Sequence, residues 1–517
     1  MKLKHALVFA LVATAGACQS DSLLPPTAGS SAQLAAGDAD GLFEIEASPR
    51  LTVQQAARLS RIAGKRTSQE VHVVRLHPSA DGLLRRGSRL RIALSPSASR
   101  VATGATVVRR GVRDVSWAGP TADSTGWIQL VLGPAGVYGS IRSGAVQYKI
   151  EPLGGALHAL TRIDGSRLPP EHPPTAPSGV MNDESHTSGG FGSAALQRSR
   201  MQLNTTQAIT SSGYGDVSIV VVYTAAAAAA TADIGTLIQL AIDETNTSYT
   251  NSGVTFAASL VHTSQVSYNE ANRSYQQHVS ALQSYSDGLM DAVHGLRNQY
   301  LGDVVMLVVD DKEACGMAST ILATHASGFA VVDESCATGY YSFAHELGHL
   351  QGARHDRHVD NSNTPFQYGH GYVDPGDAFR TIMAYGDACN NCSRIQYWSS
   401  SYTPIPFLPR GTASYEDNVR VLNETKYHVA SFRAPISVSI YGPTSVKSTQ
   451  WCTWNTVVTG NVGAASYEWS GLASGNQSAV TEVVMQSGPL SVIVYDSYGR
   501  GSDHTIWVTV DDFAPDC

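Results

Sequence analysis

The stretch that leaves this chain the least freedom is Tyr340–Asp356, YYSFAHELGHLQGARHD. It contains H-E-x-x-H followed by x-x-G-x-x-H-D, with the histidines at His345, His349 and His355. On a helix, His345 and His349 are four residues apart, so both imidazoles leave one face about one turn apart and can share a tetrahedral cation. Glu346 lies beside them. Gly352 lets the backbone leave the helix through a left-handed conformation, so that His355 returns toward the same metal from another direction. Three neutral nitrogen ligands leave a fourth position for water, which is the open geometry of a catalytic zinc site. A bare H-E-x-x-H turns up on ordinary amphipathic helices, whereas the longer string is far more restrictive.

Further on, TIMAYG places Met383 28 residues after His355. Together the two motifs resemble the metzincin zinc endopeptidase signature with its methionine turn. Asp356 resembles the reprolysin branch, while the M-x-Y ending at Tyr385 is more like astacins and serralysins. The whole arrangement is similar to bacterial peptidyl-Asp metalloendopeptidases. The motif-bearing resemblance covers roughly residues 200 to 434, less than half of the chain.

The resemblance implies one catalytic zinc on His345, His349 and His355, with Glu346 accepting the proton of the attacking water and handing it to the leaving amine. It gives Met383 the place of an apolar floor beneath the metal and Asp356 a structural hydrogen-bonding role. Tyr385, by analogy with astacin-type turns, would ligate the metal at rest or donate to the oxyanion; an aromatic near a turn is otherwise a packing residue. In the family, the strand at ACGMAST is an exposed sheet edge to which substrate adds, with Gly316 and Met317 as its backbone part. A plain core strand is the competing reading. Cleavage before Asp or Glu would require a cation in the pocket after the cut, because an unpaired carboxylate there is costly. Arg394 is the first candidate and Arg380 the second, each against the alternative of an ordinary surface arginine.

At 517 residues with 43% hydrophobic content, the chain should hold about three globular domains. Its net charge of -8 hides a division. Residues 50–115 carry fourteen Lys and Arg against three acids, whereas residues 201–434 carry eleven against twenty-two. Opposite-sign segments attract, so the basic part is expected to cover the acidic part rather than to bind nucleic acid. No helix, zinc-knuckle or aromatic pattern for nucleic acid accompanies it.

Lys2 and Lys4 precede an apolar run from Ala6 to Ala13, too short to span a membrane permanently but suited to a secretory signal over residues 1–17. Ala15-Gly16-Ala17 is an ordinary cleavage site, and AGAC with Cys18 also resembles a lipoprotein box; both readings stand. Seven cysteines leave six after Cys18, an even set for disulfides in an oxidising compartment. The expected pairs are Cys315–Cys336, Cys389–Cys392 and Cys452–Cys517. The expected location is extracellular, with the precursor held on a membrane by a lipid anchor if Cys18 is modified.

The expected fold is a multidomain α+β chain. Residues 18–40 read as a flexible tether. Residues 41–165 read as a mostly β domain with one helix, TVQQAARLSRI, and no catalytic cluster, which looks like a propeptide that assists folding and blocks the cleft. No cysteine lies between residues 19 and 314, which excludes a cysteine switch. Residues 166–200 form a Pro- and Gly-rich processing linker. An aspartate there in the water position would resemble astacin latency, with Asp183, Glu184 and His186 as candidates; the alternative is that these are solvated linker residues. Residues 201–434 read as a metzincin protease domain, a twisted mixed sheet with two long helices and the active-site helix. One long helix has Thr231 near its start and Gly253 past its end. In the irregular lower half, His358 and His370 read as surface or hydrogen-bonded residues rather than ligands. Residues 435–517 show short strands at regular spacing, resembling an immunoglobulin- or PKD-like sandwich of the kind that binds protein or polysaccharide surfaces or acts as a spacer.

These features point to a secreted, monomeric zinc endopeptidase made as a latent precursor and acting on proteins or peptides. Calcium is not indicated. The rival class is a non-catalytic cell-surface adhesin on a metzincin scaffold, against which the intact Glu346 speaks.

Overall fold

The computed structural model describes residues 39–111, 113–169, 216–376, 378–402, 410–433, 436–461, 464–496 and 501–517. The signal and most of the tether, Cys18, and the linker with Asp183, Glu184 and His186 lie outside these residues. Among the described residues no helix is long and apolar enough to cross a membrane. The chain is mixed α and β, rich in strands and built on several sheets.

The N-terminal part is a single ten-stranded sheet. Its strands are β1 (Asp40–Ile45), β2 (Ser68–Leu76), β3 (Arg89–Ser95), β4 (Ala98–Thr103), β5 (Thr106–Gly111), β6 (Asp114–Pro120), β7 (Gly126–Gly133), β8 (Gly136–Ser143), β9 (Val146–Gly154) and β10 (Leu157–Ile163). Their order is β4-β3-β1-β2-β10-β9-β8-β7-β6-β5, so β5 to β10 run as an antiparallel meander joined by short turns. The two-residue period of a strand sends alternate side chains to different cores. Trp117, Ile128, Leu130, Leu132, Val137 and Ile141 pack within this domain. Val131 and Tyr138, one residue over, belong to the core of the next. Helix α1 (Val53–Gly64), opened by a Thr52/Gln55 capping box, closes a small cluster with Val73, Leu153 and Leu157. A single helical turn, α2 (Ala80–Leu83), follows β2.

Residues 216–433 hold α3 (Ala225–Ala230), α4 (Ile234–Ser252), α5 (Tyr275–Gln283) and α6 (Ala292–Gln299) around a five-stranded sheet. Its strands are β11 (Val217–Tyr223), β12 (Ala258–Gln265), β13 (Val304–Val309), β14 (Gly316–Ala318) and β15 (Phe329–Asp333), in the order β12-β11-β13-β15-β14. All pairs are parallel except β14, which runs antiparallel to β15 at the edge. Strand β13, VVMLVV, is buried throughout because both faces of a parallel sheet are covered. Val304, Met306 and Val308 pack with α4 and with α7 (Ser342–Leu350), the helix of the histidine motif. Val305, Leu307 and Val309 pack with α5 and α6.

Two expectations shift here: among the described residues α4 is long but the second helical region is broken into the short α5 and α6, and the lower half is not wholly irregular. Helix α4 is capped by Asp233, whose side chain accepts from the Thr236 N–H, while Thr231 ends the alanine helix α3. An aspartate is the better N-cap because its carboxylate oxygen reaches the open N–H groups of the first turn. Gly253 closes α4 in the left-handed conformation. The lower half holds the two-residue strands β16 (Phe379–Arg380) and β17 (Ser393–Arg394) and a helix, α8 (Asn418–Val429), that the sequence reading did not place. Its buried face, Val419, Leu422, Thr425 and Val429, is interrupted by a threonine, which weakens the 3.6-residue period.

The C-terminal part has β18 (Ser437–Tyr441), β19 (Ser445–Val446), β20 (Trp451–Thr459), β21 (Ser466–Gly471), β22 (Ala479–Val483), β23 (Gly488–Tyr495) and β24 (Gly501–Val510). They form sheets β18-β20-β22 and β19-β24-β23-β21 that share a core around Trp454, Trp469, Leu490 and Val508. The disulfides Cys315–Cys336, Cys389–Cys392 and Cys452–Cys517 are formed.

The charge asymmetry appears at the contact between the first two domains. Arg110 donates to Asp243, and Lys65 lies 3.3 Å from Glu334.

Candidate active site

Every residue of α7 is buried. Within it, His345 Nδ1 is 2.9 Å from the Ile382 carbonyl and His349 Nδ1 is 2.9 Å from the Ala353 carbonyl. A carbonyl only accepts, so each Nδ1 carries its proton and each Nε2 turns a lone pair inward. The Ala353 carbonyl is available because Gly352, at φ +102°, turns the chain out of the helix. That turn brings His355 back. Its Nε2 is 3.2 Å from His345 Nε2 and 2.8 Å from His349 Nε2, and one ligand atom from each of the three rings lies within 4.8 Å of the others.

Buried nitrogen lone pairs that face one another at this spacing repel unless a cation stands among them. Tetrahedral zinc with bonds of about 2.0–2.1 Å sets its nitrogens about 3.4 Å apart, so the cluster fits that ion.

Supporting residues surround the cluster. Met383 is fully buried, and a Cβ on Gly348 would come within 2.9 Å of its sulfur and 2.7 Å of the Trp398 ring, so both side chains press on the helix backbone. Asp356 accepts from the Tyr385 N–H at 2.8 Å and from the His358 N–H at 2.9 Å, tying the segment of the third histidine to the methionine turn. The Tyr385 ring lies 4.2 Å from that of His355.

Strand β14 lies at the sheet edge, yet its three residues are buried rather than exposed as expected, and it passes against the motif. A Cβ on Gly316 would sit 2.7 Å from Glu346 Cγ and 2.8 Å from its Cδ, closer still to Oε1. Only a residue without a side chain lets the strand approach the carboxylate so closely. Met317 is buried in the core on the α5 side.

Arg394 and Arg380 are 2% and 3% exposed, so the expectation of ordinary surface arginines does not hold. Arg380 Nε and Arg394 Nη2 donate to the Ala384 carbonyl, between Met383 and Tyr385, at 3.1 and 3.3 Å. Both also hold Tyr340. Arg380 Nη2 donates to its hydroxyl at 2.8 Å, Arg394 Nη1 donates to its carbonyl at 3.1 Å, and the Arg394 guanidinium lies 4.3 Å above its ring. Sequence reasoning missed Tyr340, which stands inside the quoted motif but has no ligand chemistry to betray it. His358 is exposed. His370 is buried and makes contacts of 2.8 and 2.9 Å to the carbonyls of His355 and Ser362, a hydrogen-bonding residue away from the cluster.

A mixed sheet whose antiparallel edge strand covers a helix with a buried trio of imidazoles defines a zinc metalloendopeptidase. Residues 215–399 match the profile of Metallo-peptidase family M12, and the chain belongs to that family, in its reprolysin-like branch. It is 39% identical over 303 residues to a peptidyl-Asp metalloendopeptidase of Xanthomonas campestris pv. campestris, covering 57% of this chain and 67% of that protein. A peptidyl-Asp metalloendopeptidase of Stenotrophomonas maltophilia is 38% identical over 303 residues, with 57% and 68% covered. One from Pseudomonas fragi is 43% identical over 124 residues, covering 24% of this chain and 80% of that protein.

Proposed function

We propose that His345, His349 and His355 hold the zinc, that Glu346 is the general base, and that the chain is exported as a latent precursor that cuts before acidic residues. The observation that carries the catalytic part is the convergence of three Nε2 atoms, two of them oriented by backbone carbonyls, beside a buried carboxylate. Zinc bound there would polarise the scissile carbonyl and lower the pKa of a water at the open position. Glu346 accepts a proton from that water and returns it to the leaving amine. Strand β14 offers its backbone to an extended substrate, which then lies across Glu346. Tyr385, whose ring lies 4.2 Å from that of His355, would steady the developing oxyanion.

Arg394 and Arg380 are the cations of the pocket after the cut. Two buried guanidiniums next to the methionine turn favour a carboxylate side chain through charge-assisted bonds. The names of the similar proteins agree with this preference.

Latency is supported by where the N-terminal domain ends. Leu168 packs with the Cys315–Cys336 disulfide and Tyr340, so the following chain starts beside β14. Asp183, Glu184 and His186 lie about fifteen to eighteen residues on, a reach of at most about 50–65 Å, ample for a cleft at that rim. Export fits the three disulfides and the N-terminal signal, with Cys18 as a lipid anchor on the precursor. The C-terminal pair of sheets serves as a surface-binding module.

Casein hydrolysis by purified enzyme, with and without a chelator and beside Glu346→Ala, tests the catalytic core. Activity that survives chelation or the substitution would overturn it.

A further inference from the structure

The N-terminal domain meets the protease domain on α4, on the segment 335–341 that feeds α7, and at the Cys315–Cys336 disulfide. Asp243 and Glu334 meet Arg110 and Lys65 at that contact, and a third carboxylate joins both surfaces. Glu244, fully buried on α4, accepts from the Ser140 hydroxyl of β8 and, at 2.7 Å, from the Gly339 N–H of the feeding segment. Gly339 is held from the other side as well. It sits at φ +71°, and a side chain on it would run into the Gln147 amide of β9. Lys149, also on β9, donates to the Ser335 carbonyl, and Ser393 donates to the Ala145 carbonyl in the β8–β9 turn at 3.1 Å. The residue after Gly339 is Tyr340, gripped by Arg380 and Arg394.

We propose that Glu244 is a positioning residue that couples docking of the N-terminal domain to the Gly339–Tyr340 turn, and through it to the arginine pair beside the active site. The domain thus acts on the pocket from behind, through the feeding segment, in addition to anything its linker does in the cleft. The arginine pocket rests on the function proposed above; the docking contact does not.

A carboxylate so placed is sensitive to pH. Burial pushes Glu244 up to about 7, against the pull of the Ser140 hydroxyl, the Gly339 N–H and Lys149, and with Asp243 on its own helix adding to the rise. Tyr341, Arg142 and Glu244 also face one another there. The docked state therefore prefers the protonated form. Its contribution to docking is complete below the ordinary carboxyl range and is lost as pH rises through about 7.

Hydrogen exchange of the full chain carrying Glu346→Ala, which prevents self-cleavage, reads this directly and needs no peptidase activity. After correction for intrinsic rates, residues 335–341 should exchange about tenfold faster at pH 8 than at pH 6. In Glu244→Gln, the amide can accept from Gly339 and donate to Ser140, so the segment stays protected and the pH difference disappears. Glu244→Ala should exchange fast at both pH values. Equal protection at both pH values in the parent chain, or a pH difference that persists in Glu244→Gln, overturns the assignment. If the exchange results hold while Arg394→Met leaves peptide preference unchanged, the docking role stands and the pocket assignment falls.

Discussion

Gly316→Ala is the sharpest probe of the site, because it adds one methyl group and nothing else. The added carbon would lie 2.7 Å from Glu346 Cγ and 2.8 Å from Cδ. Carbon atoms settle at about 3.5 Å or more, so the carboxylate must retreat by about 0.8 Å. Gly316 is not in the left-handed region, so the backbone accepts alanine, and what yields is the end of a flexible side chain. The stability cost should stay near about 1 kcal/mol, the low end for overpacking. The catalytic cost is larger, since a misplacement of about 1 Å in a proton-transferring group lowers turnover by about 100-fold, or about 2.7 kcal/mol. Zinc content should be unchanged. Peptide turnover in Gly316→Ala, Glu346→Ala and the double variant separates the causes. If the alanine acts only through Glu346, the double variant is no slower than Glu346→Ala. Additive losses, lost zinc, or an undiminished kcat in Gly316→Ala would each refute the reasoning.

Three further outcomes follow from other residues. Arg394→Met should cut the kcat/KM ratio of Xaa-Asp over Xaa-Ala peptides by about 10- to 100-fold, the worth of one charge-assisted hydrogen bond of about 1.5–3 kcal/mol, while activity on Xaa-Ala peptides changes far less. Asp356→Ala leaves the N–H groups of Tyr385 and His358 without their acceptor and should cost on the order of 2–4 kcal/mol, read as a lower Tm with weakened zinc retention. His158, in β10, accepts from the Val137 N–H at 2.9 Å, and burial lowers its pKa to about 4. A histidine depressed in the fold stabilises it fully above the unfolded value near 6.5, and that stability is lost as pH falls through about 4. The N-terminal domain should therefore lose on the order of 3 kcal/mol between those values, measured by denaturant unfolding, and His158→Gln should flatten the loss.

The parts of the molecule that were legible in the sequence are those written in local spacing. His345, His349 and Glu346 sit on one turn of helix, and the glycine three residues past His349 marks the chain reversal by itself. Strands β11 and β13 announce themselves as unbroken apolar runs because both faces of their sheet are covered. Two disulfides join cysteines 21 and 3 residues apart, and the third, across 65 residues, takes the pair that remains of an even set. The long helix does start near Thr231, but its cap is Asp233, two residues on, because that carboxylate reaches the open N–H of Thr236.

What was not legible depends on residues distant in sequence. Arg380 and Arg394 were legible as candidate pocket cations, with ordinary surface arginines as the alternative; their burial and their hold on Tyr340, some forty and fifty residues earlier, were not. Glu244 is harder still. On its own helix it follows Asp243, and nothing in a helix of nineteen residues distinguishes the acid that meets Arg110 from the acid that meets Ser140 and Gly339. The count of charges was enough to say that a basic segment would lie on an acidic one. It could not say that Glu244 would lie at the contact with no cation within bonding distance among the described residues, and a carboxylate in that position must either hold a proton or weaken its part of the docking. Long-range attraction favours that contact, and the desolvated Glu244 weakens its own share of it as pH rises through about 7.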